Sequence, residues 1–399
     1  EWQKNTGADV HSVLMDPLMV NPASGDFSLL SQIGRFDADG NLTFDGSTSW
    51  AIDAGRFDSP YAAESQPNGN RINAGNRGNT PLASRSLTNI ADRALYASSY
   101  RDGATASGEV TLYWLSRSFS PTSTVRIEYS LNNGVTWNTA ATNIFAINGS
   151  ITWDTSILIS SPRVLWGVVS EEDTNLVDRL PSPFVLRNGP IAYYVNDTNT
   201  LSSAYTVAAG SITNDALSPS SPQISINEVL EEYDLDDGDT IYVDTGVYGL
   251  EKPVYLGVLD SGTATSFVSI VGSTVGDGSV LYPLPEFTNE VFGLRFVNAR
   301  YVSVDHLIIQ GFDEGALFEL FSSGNRINSC LIRDNNQHGV SFDTCNNNTI
   351  IRTVITRTDG DAVLSNGSSD NSLLHSVVWS NRLNAINLGF SSINISTSV

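Results

Sequence analysis

The chain has 399 residues, a length that allows two or three domains. Its 43 acidic and 21 basic side chains give a formal charge of -22. This charge argues against nucleic acid as a partner, because binding to phosphates needs clustered positive charge. The sequence has no apolar run of about 18 residues, so we expect no membrane insertion.

Turn-forming residues interrupt residues 1–88 at short intervals. The run Asp37–Asn41 has the composition of half a calcium loop, with Asp37, Asp39 and Asn41 as candidate ligands. Its glycine stands at the fourth position rather than the sixth, and no glutamate follows at the twelfth. A hairpin turn is therefore the favoured prediction, and a calcium site is the alternative.

Four runs in the same segment carry a recognisable pattern. They are Asp16–Asn21, Gly25–Leu29, Ser49–Gly55 and Pro67–Thr80. They resemble the C-terminal end of right-handed parallel β-helix domains in large secreted bacterial multidomain proteins, especially planctomycete-like ones. That pattern usually has Ser-Pro where this chain has Ser49-Trp50, and an aromatic residue where it has Asn76-Arg77. The resemblance implies that residues 1–88 end a β-helix, and it brings no catalytic residue.

Residues 89–190 show longer alternating patterns. Val110, Leu112 and Trp114 would share one face of a strand, and residues 125–131 alternate in the same way. Several short strands within about 100 residues are typical of a β-sandwich. We therefore predict an immunoglobulin- or fibronectin-like sandwich in this segment.

Residues 191–399 carry the signals of a second parallel β-helix. Ser225 and Glu228 have capping-box spacing, which predicts a short amphipathic helix that covers the strand edges at the first coil. The segments Tyr193–Asp197 and Gly238–Val243 resemble the start of β-helix domains in the same large bacterial proteins. This resemblance implies an N-terminal cap followed by the first coils.

A 23-residue repeat runs from Tyr301 onward, and apolar residues alternate within its units. Short strands in a repeat of this length predict a parallel β-helix with coils about 4.8 Å apart. We expect three asparagines to form a polar ladder between coils, and Asn394 to begin a further coil. The sets that keep the period are Asn325, Asn348 and Asn371; Val304, Ile327, Ile350 and Leu373; Ile308, Leu331, Val354 and Val377; and Ala316, Gly339, Ala362 and Ala385.

The two cysteines, Cys330 and Cys345, fall within one proposed coil. They are interpreted first as apolar fillers of the β-helix interior. A disulfide between neighbouring coils is the alternative, and a metal site is the weakest because no histidine stands at ligand spacing.

The sequence offers one group of candidate catalytic residues in the repeat. Its members are Asp334, His338, Arg357 and Asp361, with Asp343 and Asp359 nearby. Asp334 and Arg357 are 23 residues apart, as are His338 and Asp361, so each pair should meet on adjacent coils. Clustered carboxylates with a histidine or arginine could cleave a polysaccharide. The alternative is that these are solvated turn residues with surface ion pairs.

The order of the segments suggests a structural role. The chain is all-β, with right-handed parallel β-helix segments flanking an immunoglobulin-like sandwich. Joined end to end, such chains would complete a β-helix, so we predict a non-enzymatic module of an extracellular or cell-surface filament, sheath or surface layer. It would self-associate as a homopolymer or as tandem modules. The alternative is a carbohydrate-active protein of polysaccharide-lyase type, or a carbohydrate-binding adhesin; calcium is the one cofactor suggested.

Overall fold

The computed structural model of the protein describes residues 12–289 and 291–396, most of them in strands and turns. The described residues contain 33 strands and one α-helix, so the prediction of an all-β chain is confirmed. The chain divides into two units, residues 1–189 and residues 190–399. The segments 1–88 and 89–190 therefore lie in one unit. No helix in the described ranges is long and apolar enough to cross a membrane.

The first unit begins with four short strands. They are β1 (Met19–Asn21), β2 (Asp26–Leu29), β3 (Arg35–Phe36) and β4 (Leu42–Thr43), with the 3-10 helix η1 (Pro22–Ser24) between β1 and β2. β1 pairs with β2 and β3 with β4, both antiparallel. The described strands of residues 12–88 thus pair antiparallel, and the assignment of residues 1–88 to the end of a β-helix stays a prediction. Closely spaced turns leave no strand there longer than four residues.

Side chains replace strand pairing in this segment. Glu64 Oε1 accepts hydrogen bonds from the backbone N–H groups of Asn73 and Asn79, at 2.9 and 2.8 Å. Asp53 accepts one from the hydroxyl of Ser86 at 2.7 Å. The buried carboxylate of Glu64 thus satisfies backbone donors that a regular sheet would pair, and that of Asp53 holds the side chain of Ser86.

The rest of the first unit has two sheets around one core. Leu112, Trp114, Ile127 and Trp166 are buried between strands of both sheets. One sheet has the order β10-β7-β5, and the other has the order β6-β13-β11-β8-β9 with β12 beside β11. Their bounds are β5 (Ala94–Ala97), β6 (Thr105–Ala106), β7 (Glu109–Arg117), β8 (Thr124–Ser130), β9 (Asn138–Phe145), β10 (Ser150–Asp154), β11 (Ser161–Ser170), β12 (Val177–Arg179) and β13 (Phe184–Leu186), with 3-10 helices η2 (Ile90–Asp92) and η3 (Ala146–Asn148). The immunoglobulin or fibronectin type of this arrangement stays a prediction.

The second unit is built from three parallel sheets that take one strand each from successive coils. The first sheet contains β14 (Ala192–Val195), β15 (Thr240–Val243), β18 (Val268–Gly272), β21 (Val302–Asp305), β24 (Arg326–Asn328), β27 (Thr349–Ile351), β30 (Asn371–Leu374) and β33 (Ile393–Ser396). The second contains β16 (Gly246–Leu250), β19 (Ser279–Pro283), β22 (Leu307–Gln310), β25 (Leu331–Arg333), β28 (Val354–Thr356) and β31 (Val377–Trp379). The third contains β17 (Val254–Leu256), β20 (Phe292–Val297), β23 (Glu314–Glu319), β26 (His338–Asp343), β29 (Val363–Asn366) and β32 (Ile386–Gly389).

A cap precedes the coils, as the sequence predicts. The helix α1 (Ile226–Glu232) begins at Ser225, whose hydroxyl accepts the N–H of Glu228 at 3.3 Å. Ile226 and Val229 are buried in the same core as the first coils. A further 3-10 helix, η4 (Val258–Asp260), follows β17. The predicted amphipathic helix at the start of the β-helix is therefore confirmed.

The predicted asparagine ladder is also confirmed. Asn325 donates its Nδ2 to Asn348 Oδ1 at 3.0 Å, and Asn348 donates to Asn371 Oδ1 at 3.2 Å. The same oxygens accept the backbone N–H groups of Asn325 and Asn348. All three side chains are buried, so each amide satisfies groups that water cannot reach.

Two details of the predicted repeat are wrong. Ala316 pairs with Val340 rather than with Gly339, because the turn before β26 has four residues where the turn before β23 has three. A further coil does begin with β33, as predicted, but Asn394 pairs with Ser372, and Ile393 takes the place opposite Asn371. The turn before β33 has three residues and the turn before β30 has four. Changes of one residue in these turns shift the period away from 23.

Both cysteines fill the interior, which confirms the first of the three interpretations. Cys330 and Cys345 are buried and free, with no disulfide between them. Burial raises the pKa of the Cys330 thiol to about 12 and that of Cys345 to about 11. Neither thiol forms a reactive thiolate near neutral pH.

The ladder generates a stability prediction. We expect Asn348→Ala to lower the free energy of unfolding by about 3 kcal/mol, because the buried donors of Asn325 and the carbonyl of Ser322 lose their partner. Asn336→Ala removes the same group from an exposed turn and should change it by less than about 0.5 kcal/mol. Urea denaturation followed by circular dichroism measures both. Equal effects of the two substitutions would contradict a structural role for the ladder.

Candidate functional site

Asp334 and Arg357 lie in the turns that lead from the second sheet to the third, on adjacent coils. Arg357 donates Nε and Nη2 to the two carboxylate oxygens of Asp334, each at 2.6 Å. This hydrogen bonding lowers the pKa of Asp334. Both side chains are nearly half exposed, so the predicted contact forms as a surface ion pair.

His338 and Asp361 also meet, as their spacing predicts. His338 opens β26, and its Nδ1 accepts the backbone N–H of Asp361 at 3.3 Å. The nearer carboxylate oxygen of Asp361 is 4.0 Å from the same nitrogen. Because Nδ1 accepts a hydrogen bond, the proton of the neutral ring lies on Nε2.

Gly360 allows this close approach between coils. A Cβ atom at Gly360 would lie 1.9 Å from the carbonyl oxygen of Gln337 and 3.1 Å from His338 Nδ1. Any side chain here would push the two coils apart. The glycine therefore fixes the position of the histidine ring relative to Asp361.

Asp361 is a buried carboxylate that remains ionised. Oδ1 accepts the backbone N–H and Nδ2 of Asn384 at 2.9 and 2.7 Å, and Oδ2 accepts Nδ2 of Asn387 at 2.8 Å. Burial alone would raise the pKa of this carboxyl. The hydrogen bonds from Asn387 and Asn384, with the nearby His338, outweigh burial and lower it.

The structure adds Glu314, which the sequence analysis missed. Glu314 pairs in register with His338, one coil earlier. Burial raises its pKa, although Ser341 and His338 partly oppose that effect. Its buried Oε2 has no hydrogen-bond partner among the described residues. The spacing from Glu314 to His338 is 24 residues, so a search at a strict period of 23 does not find it.

Glu314, His338 and Asp361 therefore form a column on three successive coils at the start of the third sheet, which we call the acidic column. Adjacent members are about 4.8 Å apart along the axis, the spacing of neighbouring strands. One carboxyl group holds its proton to a higher pH than usual, and the other stays ionised to a lower pH. Opposite shifts of this kind separate a proton donor from a proton acceptor. The Asp334–Arg357 pair occupies the neighbouring turns, and Asp343 and Asp359 lie at exposed positions.

The candidate calcium ligands lie in a hairpin. β3 and β4 pair across them, which confirms the favoured turn prediction. Asp37 Oδ1 accepts the N–H groups of Asp39 and Asn41 at 2.9 and 2.8 Å. These bonds lower the pKa of Asp37. Within the described ranges, no group of three or more histidine, cysteine or acidic side chains is arranged to hold a metal ion. Calcium binding at Asp37, Asp39 and Asn41 stays a prediction.

Comparison with known proteins bears on the coils of the second unit. Residues 267–398 match the family model described as a right handed beta helix region. The matched residues lie in the second unit, whose three parallel sheets agree with that description. A search of curated proteins found no match. A crystal structure from Parabacteroides merdae, of a protein provisionally described as a glycosyl hydrolase, is 14% identical and covers 41% of this chain and 82% of its own, with a TM-score of 0.32. Similarity at this level does not establish an activity.

The two predicted pairs should differ in their effect on stability. Asp334→Asn removes a surface ion pair, so we expect the free energy of unfolding to fall by less than about 1 kcal/mol. Asp361→Asn replaces a buried acceptor of three N–H donors, and we expect a loss of about 2 kcal/mol at neutral pH.

The effect of Asp361→Asn should depend on pH with a definite sign. The folded-state pKa of Asp361 lies below its ordinary value of 3.8. Its stabilisation is therefore complete above that value and is lost as the pH falls further. Denaturation curves at neutral pH and near pH 3 measure this, and a gap between wild type and Asp361→Asn that does not shrink at the lower pH would contradict it.

Proposed function

We propose that the protein acts on carbohydrate, as a β-helix enzyme that cleaves glycosidic bonds at the acidic column. The observation that supports this most directly is the pairing of two carboxyl groups with opposite pKa shifts on one column of the β-helix. Glycosidic cleavage needs such a pair, one group to protonate the leaving oxygen and one to assist the attacking water. This replaces the non-enzymatic filament module as the leading interpretation.

In this proposal Glu314 is the general acid. Its raised pKa keeps the proton available nearer to neutral pH, although Ser341 partly opposes that shift. Oε2 has no hydrogen-bond partner among the described residues. Protonation of the leaving oxygen by a positioned carboxylic acid contributes roughly 10² to 10⁴ in rate.

Asp361 and His338 serve the other half of the reaction. The ionised carboxylate of Asp361 takes the proton of the attacking water, while Glu314 gives its proton to the leaving oxygen, and His338 lies between the two carboxyl groups. Glu314 and Asp361 are two coils apart, so the strand spacing separates their backbones by about 9.6 Å. Inverting glycosidases hold their carboxyl groups about 6.5 to 9.5 Å apart, which leaves room for a water molecule. Inversion of configuration is therefore the expected stereochemical outcome, and secretion to the cell exterior would bring the enzyme to its polymer.

Glu314→Gln tests the assignment. We expect it to lower the cleavage rate at least about 10²-fold, because the amide cannot donate the proton. Stability should stay equal or rise, since burial disfavours the ionised carboxylate that the substitution removes. Asp359→Asn makes the same chemical change at an exposed turn beside Asp361 and should keep the wild-type rate. Release of reducing ends from a panel of neutral and acidic polysaccharides measures all three proteins.

Three results would contradict the proposal. They are no cleavage of any polysaccharide in the panel, equal rates for wild type and Glu314→Gln, and equal losses in Glu314→Gln and Asp359→Asn. Release of unsaturated products, detected by ultraviolet absorbance, would instead indicate elimination, the lyase form of the same proposal.

A second proposal keeps the association predicted from the sequence. The coil of β32 and β33 exposes apolar side chains, among them Leu388, Phe390 and Ile395, whereas α1 covers the first coils. Exposed apolar surface of this kind marks association sites. A coil of a second copy or of a tandem module would cover it, as in a filament or surface layer.

Phe390→Asp tests this association. Phe390 is fully exposed, and a carboxylate there should abolish any concentration-dependent self-association. Phe321→Asp makes the same change at an exposed turn three coils earlier and should leave association intact. Sedimentation velocity over a concentration series measures both. A wild-type chain that stays monomeric throughout would exclude the non-covalent form of the proposal.

A further inference from the structure

The first unit contains a cavity that plays no part in the acidic column. Its volume is about 360 Å³, within the range of roughly 300 to 1,000 Å³ typical of small-molecule sites. One wall comes from residues 66–71 and from Asp53, and the other from residues 116–121, at the end of β7 and beyond. We call it the Arg71 cavity, after the cationic side chain in its wall.

Arg71 is a buried cation with an incomplete set of partners. Its side chain is more than nine-tenths buried. Nε donates to the carbonyl oxygen of Gly55 at 2.6 Å, and Nη1 has no hydrogen-bond partner among the described residues. A Cβ atom at Gly149 would lie 2.4 Å from Nη1, so only glycine leaves room for the guanidinium there. A buried cation with an unused donor is costly unless an acceptor reaches it.

Two more donors in the cavity lining share this property. Arg93 Nε and Ser118 Oγ are buried and have no hydrogen-bond partner among the described residues. Arg93 is held in place through Nη1, which donates to Glu172 at 2.5 Å, and by its contact with the ring of Phe119 at 5.3 Å. The cavity lining thus contains two cations, each with a buried donor that no described residue accepts, and an occupant rich in acceptor oxygens fits such a wall.

The remaining lining supports a hydroxylated ligand rather than a bare ion. Gln66, Asn68 and Asn70 supply amides, and Ser116 and Ser120 supply hydroxyls. Ile90 and Phe119 supply an apolar face. A site with a cationic wall, several neutral hydrogen-bonding groups and one apolar face fits a sugar ring that carries a carboxylate.

Asp53 is the one acidic side chain in the lining. Gly69 lies so close that a Cβ atom there would be 2.1 Å from Asp53 Oδ2, so the carboxyl group rests against the glycine backbone. Burial raises the pKa of Asp53 to about 6, with a hydrogen bond from Ser86 opposing it and Glu64 adding to it. Near pH 6 its negative charge is therefore about half removed, and the two arginines dominate the cavity.

We propose that the Arg71 cavity binds a uronic acid unit, with its carboxylate toward Arg71 and Arg93 and its hydroxyls toward the amide groups. This function is one of binding and does not depend on cleavage at the acidic column. It would hold the protein on an acidic polysaccharide.

Saturation-transfer NMR on the full chain at pH 6 tests the proposal with sodium galacturonate as the probe. Galactose, which lacks the carboxylate, is the matched ligand, and sodium sulfate is the bare-anion competitor. We expect galacturonate to bind at least about tenfold more tightly than galactose, because a guanidinium–carboxylate contact is lost with the neutral sugar. Sulfate should compete only weakly.

Substitutions then locate the site. Arg71→Gln should weaken galacturonate binding at least about tenfold, whereas Arg56→Gln, the same change at an exposed position outside the cavity, should leave it unchanged. Ile90 lies at the cavity and is mostly exposed, so we expect substitutions there to leave the fold intact. Comparison of Ile90→Glu with Ile90→Gln therefore replaces the first test if Arg71→Gln does not fold. Loss of galacturonate binding in Ile90→Glu but not in Ile90→Gln would support the proposal. No galacturonate binding by wild type, equal binding of galactose, or unchanged binding in both Arg71→Gln and Ile90→Glu would overturn it.

Discussion

Hydrogen bonding between neighbouring coils governs the second unit, because it places each residue about 4.8 Å from its equivalent in the next coil. Polar and apolar side chains both follow this rule. The asparagine ladder joins three coils through buried amides, and Phe296, Phe318 and Phe342 stack inside them with ring centroids 4.2 and 5.2 Å apart. A residue in one coil therefore defines the environment of the residue one period away.

The same constraint creates the candidate active site. Glu314, His338 and Asp361 are distant in sequence, yet the stacking of coils sets them side by side. Their environments differ because each coil brings different neighbouring side chains to this position. Asn384 and Asn387 hold Asp361 in its ionised form, while Oε2 of Glu314 is buried and has no partner among the described residues. A regular scaffold thus supplies two carboxyl groups whose pKa values are shifted in opposite directions.

The sequence predicts much of this unit because its period is visible in the residues themselves. The ladder, the helix after Ser225, the buried cysteines and the contacts Asp334–Arg357 and His338–Asp361 all follow from spacing. The repeat did not reveal Glu314, because one extra turn residue changes its spacing from His338 to 24. The hydrophobic pattern does not show such a change in turn length.

The first unit was harder to predict. Resemblance of the runs over residues 16–80 suggested parallel coils, but the described strands there pair antiparallel. Buried side chains such as Glu64 organise that segment, and contacts between residues far apart in sequence have no periodic signal. The Arg71 cavity shares this property, since its two walls come from segments about 50 residues apart. Only the three-dimensional structure brings them together.

The proposed cleavage reaction depends most heavily on the different proton affinities of Glu314 and Asp361. Carbon-detected NMR titration of the side-chain carboxyl groups measures both directly, with Glu314→Gln and Asp361→Asn used to assign the signals. We expect the pKa of Glu314 to lie above its ordinary value of 4.5 and the pKa of Asp361 to lie below its ordinary value of 3.8. Ordinary values for both groups would contradict it, because the column would then hold two equivalent surface carboxylates and no distinct proton donor.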